Sequence, residues 1–112
     1  MLAVLAAALV VSLSAPTHVP KAEARWNYTV RASVAGKPVP GRITVQLVDP
    51  FGGAHPAQRR TSDVDIVRLP FDGVFRDFLE FPSEARGLPL TVRVTVDARG
   101  SRRVVSYRVT PT

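Results

Sequence analysis

The sequence predicts an all-β fold, a single Ig-like antiparallel β-sandwich of six to seven strands that follows an N-terminal signal helix. Several short runs alternate apolar with polar residues, which is typical of strands with one buried face. The 7 Gly and 10 Pro residues interrupt these runs at turn positions. An apolar segment at residues 2–15 departs from the alternation. The length of 112 residues allows one domain after this segment.

The apolar segment has the features of a secretory signal. As a helix it would be about 21 Å long, shorter than the roughly 30 Å hydrocarbon core of a bilayer. Ala22-Glu23-Ala24 supplies the small residues of an A-x-A cleavage site. No Lys or Arg precedes the segment, so either the amino terminus alone supplies the positive charge or the true start lies upstream of Met1. We expect a signal peptide at residues 1–24 and a secreted, extracytoplasmic domain at 25–112. The alternatives are an uncleaved membrane anchor formed by residues 2–15 and a buried amphipathic helix.

Six strands follow from the alternation, with turns where Gly and Pro interrupt it. They are predicted at residues 26–34, 43–47, 64–70, 75–81, 90–96 and 104–110. Asp77 falls on the apolar side of its strand, which indicates a bulge. The predicted core consists of Trp26, Tyr28, Val30, Ile43, Val45, Leu47, Ile66, Phe75, Leu79, Phe81, Val92, Val94, Val96, Val105, Tyr107 and Val109.

The last two strands form a predicted hairpin. A type II′ turn at Gly100-Ser101 would use the positive φ that Gly tolerates. This turn would pair Val92 with Val109, and it would place Arg93 opposite Arg108.

Three segments resemble bacterial Ig-like and carboxypeptidase-regulatory-like (prealbumin-like) domains. They are Val34-Ala35-Gly36-Lys37-Pro38-Val39-Pro40-Gly41-Arg42-Ile43-Thr44-Val45, Asp72-Gly73-Val74-Phe75 and Leu90-Thr91-Val92-Arg93-Val94-Thr95-Val96. The resemblance covers about residues 30–98. It implies a sandwich fold and an accessory module without catalytic residues, in a protein of bacterial origin.

The basic charge suggests an anion-binding surface. The chain has 15 Lys+Arg against 9 Asp+Glu, a net charge of +6. Arg93 and Arg108 would form an anion site on the outer face of the last hairpin, unless Asp63 and Asp65 lie beside Arg93 and neutralise it. We expect no nucleic-acid binding, because no aromatic residues interleave with these arginines to stack on bases.

The longest predicted loop, residues 50–62, is the second candidate site, because binding residues gather on loops carried by rigid sheets. Phe51 is the aromatic residue that this loop would display, and His55 lies near Arg59 and Arg60. The candidate binding surface therefore comprises Phe51, His55, Arg59, Arg60, Arg93 and Arg108.

The sequence predicts neither catalysis nor a cofactor. Zero cysteines exclude a thiol nucleophile and a cysteine-ligated metal, and no carboxylate between Asp49 and Asp63 is available to orient His55. We expect a monomeric, non-catalytic module with a binding or structural role in the cell envelope. Its partner would be an anionic envelope polymer, a bilayer surface or another envelope protein. The alternative is a small extracellular enzyme or metal carrier that uses His55 with Asp63 or Asp65.

The signal prediction is tested by mass spectrometry of the exported protein. The chain should begin near Arg25, because cleavage follows Ala24. An intact Met1 in the soluble cytosolic fraction would contradict the prediction, and an intact Met1 in the membrane fraction would favour the anchor.

Overall fold

The computed structural model describes residues 7–60 and 62–112. Within these ranges the chain forms eleven strands and one short 3-10 turn, which confirms the predicted all-β class. The strands are β1 (Leu9–Ser14), β2 (Arg25–Val34), β3 (Lys37–Pro38), β4 (Pro40–Val48), β5 (Ala54–Pro56), β6 (Gln58–Arg59), β7 (Val64–Asp65), β8 (Leu69–Asp72), β9 (Val74–Glu80), β10 (Leu90–Ala98) and β11 (Ser101–Val109). The 3-10 turn spans Ser83–Ala85.

The strands pair antiparallel along one hydrogen-bonded path, in the order β1-β2-β9-β8-β4-β10-β11. Two short strands extend it, β3 on β2 and β5 on β4, while β6 and β7 form a separate ribbon. The path folds back on itself, since Trp26 of β2 packs against Tyr107 of β11 with ring centroids 5.6 Å apart. Its two halves thereby share one core.

The inward rows of the long strands form this core. Val92, Val94 and Val96 of β10 each have 0% exposure, between the inward rows of β4 and β11. Three residues of the predicted core, Leu47, Val105 and Tyr107, are only partly buried. They are less covered because β11 is the last strand of the path and Leu47 lies next to the short strand β5.

The predicted N-terminal helix is wrong over residues 9–14, which form β1. This strand pairs with β2 from Leu9 opposite Val34 to Ser14 opposite Thr29. Leu9 is 4% exposed, and every second residue after it packs against the core. A strand buries this row, whereas a helix would spread the same apolar side chains around its circumference. Residues 1–6, which include the first five residues of the predicted helix, lie outside the described ranges.

The residues between β1 and β2 are joined to the C-terminal end of the chain. Thr110 N–H donates to the His18 carbonyl at 2.8 Å, and the His18 ring stacks on Tyr107 at 4.0 Å. Thr112 and Ala22 add further backbone bonds, and Trp26 Nε1 donates to the Thr17 carbonyl at 2.8 Å. Cleavage after Ala24 would remove these contacts together with β1. No helix in the described ranges is long and apolar enough to cross a membrane.

The register of the β10–β11 hairpin differs by two residues from the prediction. The turn is formed by Arg99 and Gly100, with φ of 52° and 72°, so Val92 faces Tyr107 rather than Val109. Positive φ at both turn positions is typical of a type I′ hairpin. A two-residue shift leaves every side chain on its predicted face. It moves Arg93 opposite Ser106, however, so the predicted Arg93–Arg108 pair is wrong.

The structure also differs from two smaller predictions, the bulge at Asp77 and the third strand. Asp77 creates no bulge, because β9 pairs residue for residue with β2 and places Asp77 opposite Tyr28. The predicted strand at 64–70 is divided into the two-residue β7 and the first two residues of β8. Its one fully buried residue is Ile66, whose N–H and carbonyl bond to Ala57 and Val45, while Val64 is 48% exposed.

Candidate functional site

The turn between β4 and β5 is built around the Asp49 carboxylate. Its Oδ1 accepts the backbone N–H groups of Phe51 at 2.8 Å and Gly53 at 2.9 Å. Its Oδ2 lies 3.1 Å from Nε2 of His55. These bonds close the turn, and the Phe51 side chain within it is 96% exposed. Phe51 and His55 therefore belong to one small, solvent-facing hairpin tip.

His55 has a carboxylate partner that was not predicted from the sequence. The partner is Asp49, whereas Asp65 lies in β7 opposite Gln58. The hydrogen bond from His55, followed by those from the Gly53 and Phe51 amides, lowers the pKa of the Asp49 carboxyl. A His–Asp pair resembles part of a catalytic triad, but the His55 side chain is 67% exposed and Asp49 already closes the turn. Within the described ranges, no three His, Cys, Asp or Glu residues cluster as metal ligands would.

Arg59 and Arg60 hold the loop that contains them against the sheet. The Arg59 guanidinium lies over the Phe75 ring, 4.5 Å from its centroid. Arg60 Nη2 lies 3.7 Å from Oε2 of Glu80, and the Arg60 N–H donates to Oδ2 of Asp77 at 3.4 Å. These contacts give both arginines partners within the protein. Their geometry accounts for the packing of the loop on β9.

Asp77 is a buried carboxylate, 8% exposed, on the core side of β9. It lies beside Tyr28, whose hydroxyl has no hydrogen-bond partner among the described residues. Burial raises the pKa of the Tyr28 phenol, the negative charge of Asp77 raises it further, and Arg59 lowers it. Asp77 therefore holds the loop by accepting the Arg60 N–H from the core side of β9. This contact explains a charged residue among the otherwise apolar inward residues of the strand.

The outer face of β4, β10 and β11 carries the other two predicted residues. Arg93 donates through Nε and Nη2 to Oε1 of Gln46, at 3.1 and 2.9 Å. This neutral partner fixes the direction of the side chain without neutralising its charge. Arg108 is exposed opposite Thr91. Neither contacts Asp63 or Asp65 in the bonds that the described residues form, because β7 pairs with β6 away from this face.

A second site lies at the hairpin end of this face. Asp97 of β10 is flanked by Arg42 of β4 and Arg102 of β11, each directly opposite it. Together with Arg68 and Arg99, these residues line an open cleft of about 780 Å³, which we call the arginine cleft.

The geometry of the arginine cleft depends on Asp97. Its Oδ1 accepts Nε of Arg102 at 2.7 Å, and its Oδ2 lies 3.5 Å from Nη1 of Arg68. The Arg102 bond, followed by the charges of Arg102 and Arg68, lowers the pKa of the Asp97 carboxyl. Arg42 donates to the Arg68 carbonyl at 3.1 Å. The guanidinium groups of Arg102 and Arg68 thus hold the Asp97 carboxylate. The four arginines and the one carboxylate that line the cleft have a net charge of +3.

The arginine cleft was not predicted from the sequence. Arg99, Arg102 and Arg103 lie within five residues of each other, and this local concentration of arginines is the sequence feature that indicates a basic site. Arg42 and Arg68 could not be added from the sequence, because they come from different parts of the chain. Only the pairing of β4 with β10 brings Arg42 to Asp97.

Comparisons with known proteins inform the fold. No protein-family model matches the chain, and no curated protein matches it. The chain is similar to the crystal structure of a DUF4466 family protein from Parabacteroides merdae, with a TM-score of 0.50 and 16% sequence identity. The match covers 96% of this chain and 45% of that chain, so this chain spans less than half the length of the neighbour. At this identity the similarity concerns the fold alone.

The structural role of the His55–Asp49 pair can be tested by NMR titration. The Asp49 carboxyl should titrate below its ordinary pKa of 3.8, and His55→Ala should raise its pKa toward that value. Because the folded pKa is lowered, the Asp49 contacts stabilise the fold above the unfolded pKa of about 3.9 and lose this effect as the pH falls through the folded value. His18→Ala is the matched control and should leave Asp49 unchanged. An Asp49 pKa that does not respond to His55→Ala would contradict the assignment.

Proposed function

We propose that this protein is a non-catalytic, exported β-domain of the cell envelope that binds an anionic polymer through the outer face of β4, β10 and β11. The finer fold that we propose is an Ig-like sandwich. Two of the motifs that resemble such domains support it, because they lie at tight turns with positive φ, at Ala35-Gly36 and at Gly73.

The distribution of charge carries the proposal. Strands β4, β10 and β11 with the Arg99–Gly100 turn contain six arginines and one carboxylate, a net charge of +5. Strands β1, β2 and β9 together have a net charge of +1. Nearly all of the net charge of +6 therefore belongs to one half of the sheet. A one-sided positive field attracts a polyanion and orients it toward that half.

The contacts on this face hold its arginines in place and neutralise little of their charge. Arg93 bonds to the neutral amide of Gln46. Arg108 lies diagonally from Arg93, since Thr91 is opposite Arg108 and Ser106 is opposite Arg93. Gln46 fixes the direction of Arg93, and Arg108 is exposed next to it. Two neighbouring cations suit repeated anionic groups better than a single ion.

Export is supported by the apolar segment at residues 2–15, and the structure adds a condition. In the folded chain, residues 9–14 belong to the sheet, and a strand in the sheet cannot lie in a bilayer at the same time. We propose that the segment directs export before the domain folds. An exported chain that keeps Met1 would retain β1 as its edge strand.

The binding proposal is tested with soluble polyglycerol phosphate, using calorimetry at low and high salt. Binding should weaken steeply as salt rises, because the screening length falls from about 10 Å at 0.1 M to about 3 Å at 1 M. Arg93→Glu with Arg108→Glu should weaken it strongly, because both positions then repel the polymer. Thermal unfolding should show that the fold is retained.

Arg31→Glu with Arg76→Glu is the matched control, because it makes the same charge change on the exposed faces of β2 and β9. This variant should retain most of the binding. Equal losses of binding in the two double variants would mean that binding depends on net charge alone and not on the position of the arginines. Binding indifferent to salt and to the Arg93 and Arg108 changes would contradict the proposal and leave the loop with Phe51, Arg59 and Arg60 as the candidate surface.

A further inference from the structure

We propose that the arginine cleft is a binding site for successive phosphate groups, and that it holds the end of an oligophosphate or of a phosphate-bearing polymer. This inference rests on the proposed function and gives it a ligand chemistry. It also places the strongest contact at the hairpin end of the outer face rather than at Arg93 and Arg108.

The charge of the cleft calls for a ligand with several negative charges. Asp97 fixes Arg102 and Arg68 side by side, at 2.7 and 3.5 Å, and neutralises one of the four cations. Each guanidinium carries five N–H donors, so most donors in the cleft remain available after these bonds. Planar guanidinium groups match the paired oxygens of a phosphate. A net charge of +3 exceeds what a single carboxylate ligand would balance.

The backbone supplies an independent indication. Arg99 and Arg68 have φ of 52° and 50°, in the left-handed region that Gly and Asn adopt more easily. Both of these arginines line the arginine cleft. Asn before Gly100 would give the preferred sequence of a type I′ turn. An arginine at such a position costs stability, and a use for its guanidinium would account for it.

The spacing of the charges on the outer face favours a chain end over a flat bilayer. The row Thr44, Thr95 and Val104 carries no charge and separates the cleft from Arg93. Arg93 and Asp97 are four residues apart on one strand, about 14 Å. A polymer that begins in the cleft can reach Arg93, whereas a short oligophosphate occupies the cleft alone.

Titration calorimetry with tripolyphosphate, on the full chain at low salt, tests the inference. Wild type should bind tripolyphosphate more tightly than orthophosphate. Arg99→Asn should weaken binding about tenfold, the value of one charge-assisted hydrogen bond, while the Tm stays equal or rises. Arg68→Asn should act in the same direction, and the double variant should lose more than either. Arg103→Gln is the matched control, because it removes one charge from the same hairpin outside the cleft lining, and its affinity should stay within about twofold.

Long-chain polyphosphate distinguishes the two sources of the phosphate groups. Affinity that rises with chain length, and that falls again with Arg93→Glu, supports a polymer. Equal affinity for long and short chains supports a free oligophosphate.

Three results would overturn the inference. They are no tripolyphosphate binding at low salt, equal losses in Arg99→Asn and Arg103→Gln, and a lower Tm in Arg99→Asn, which would make Arg99 a structural residue. Phosphatidylglycerol vesicles that bind when tripolyphosphate does not would also overturn it, in favour of a lipid surface. If polyglycerol phosphate still binds in an Arg93- and Arg108-dependent manner, only the cleft assignment fails. If neither probe binds, the proposed function fails as well.

Discussion

The rest of the structure depends on the burial of strand β10 between β4 and β11. Val92, Val94 and Val96 are fully buried, and both neighbouring strands pair with β10 along almost its whole length. Burying side chains of this size contributes roughly 1.5–3 kcal/mol each, and a slip of one residue would expose the entire row. The alternation of apolar and polar residues therefore fixes which residues face outward. The Arg99–Gly100 turn fixes which of them pair across the strands.

The surface chemistry follows from these two constraints. Because the turn is at Arg99–Gly100, Asp97 lies between two arginines instead of facing Val104. One carboxylate can then order the arginines around it without cancelling their charge. On the other half of the sheet, a charged residue has a different role. There the buried carboxylate of Asp77 faces inward and fastens the loop that contains Arg60. A charge on the core side thus serves the fold, whereas the charges on the outer face remain available to a ligand.

Alternation in the sequence predicted the all-β class, the principal strands and most of the core, because a period of 2 records burial directly. It could not predict the hairpin register, because a shift of two residues preserves every face. It also missed β1. The row Leu9, Val11 and Leu13 alternates with polar residues only after Val10, and the continuous apolar run before it is typical of a signal. The His55–Asp49 bond and the arginine cleft required contacts between segments, which spacing along the chain does not reveal.

The register of the β10–β11 hairpin is the claim on which the cleft and the charge pairing both depend, and cross-strand disulfides measure it directly. The chain has no cysteine, so two introduced thiols can pair only with each other within one molecule. Thr95 and Val104 are directly opposite on the outer face, within the distance that a disulfide spans. Thr95→Cys with Val104→Cys should oxidise readily to an intramolecular disulfide, whereas Thr95→Cys with Ser106→Cys should remain reduced under the same conditions. Preferential formation of the Thr95–Ser106 crosslink would contradict the register and with it the geometry of the arginine cleft.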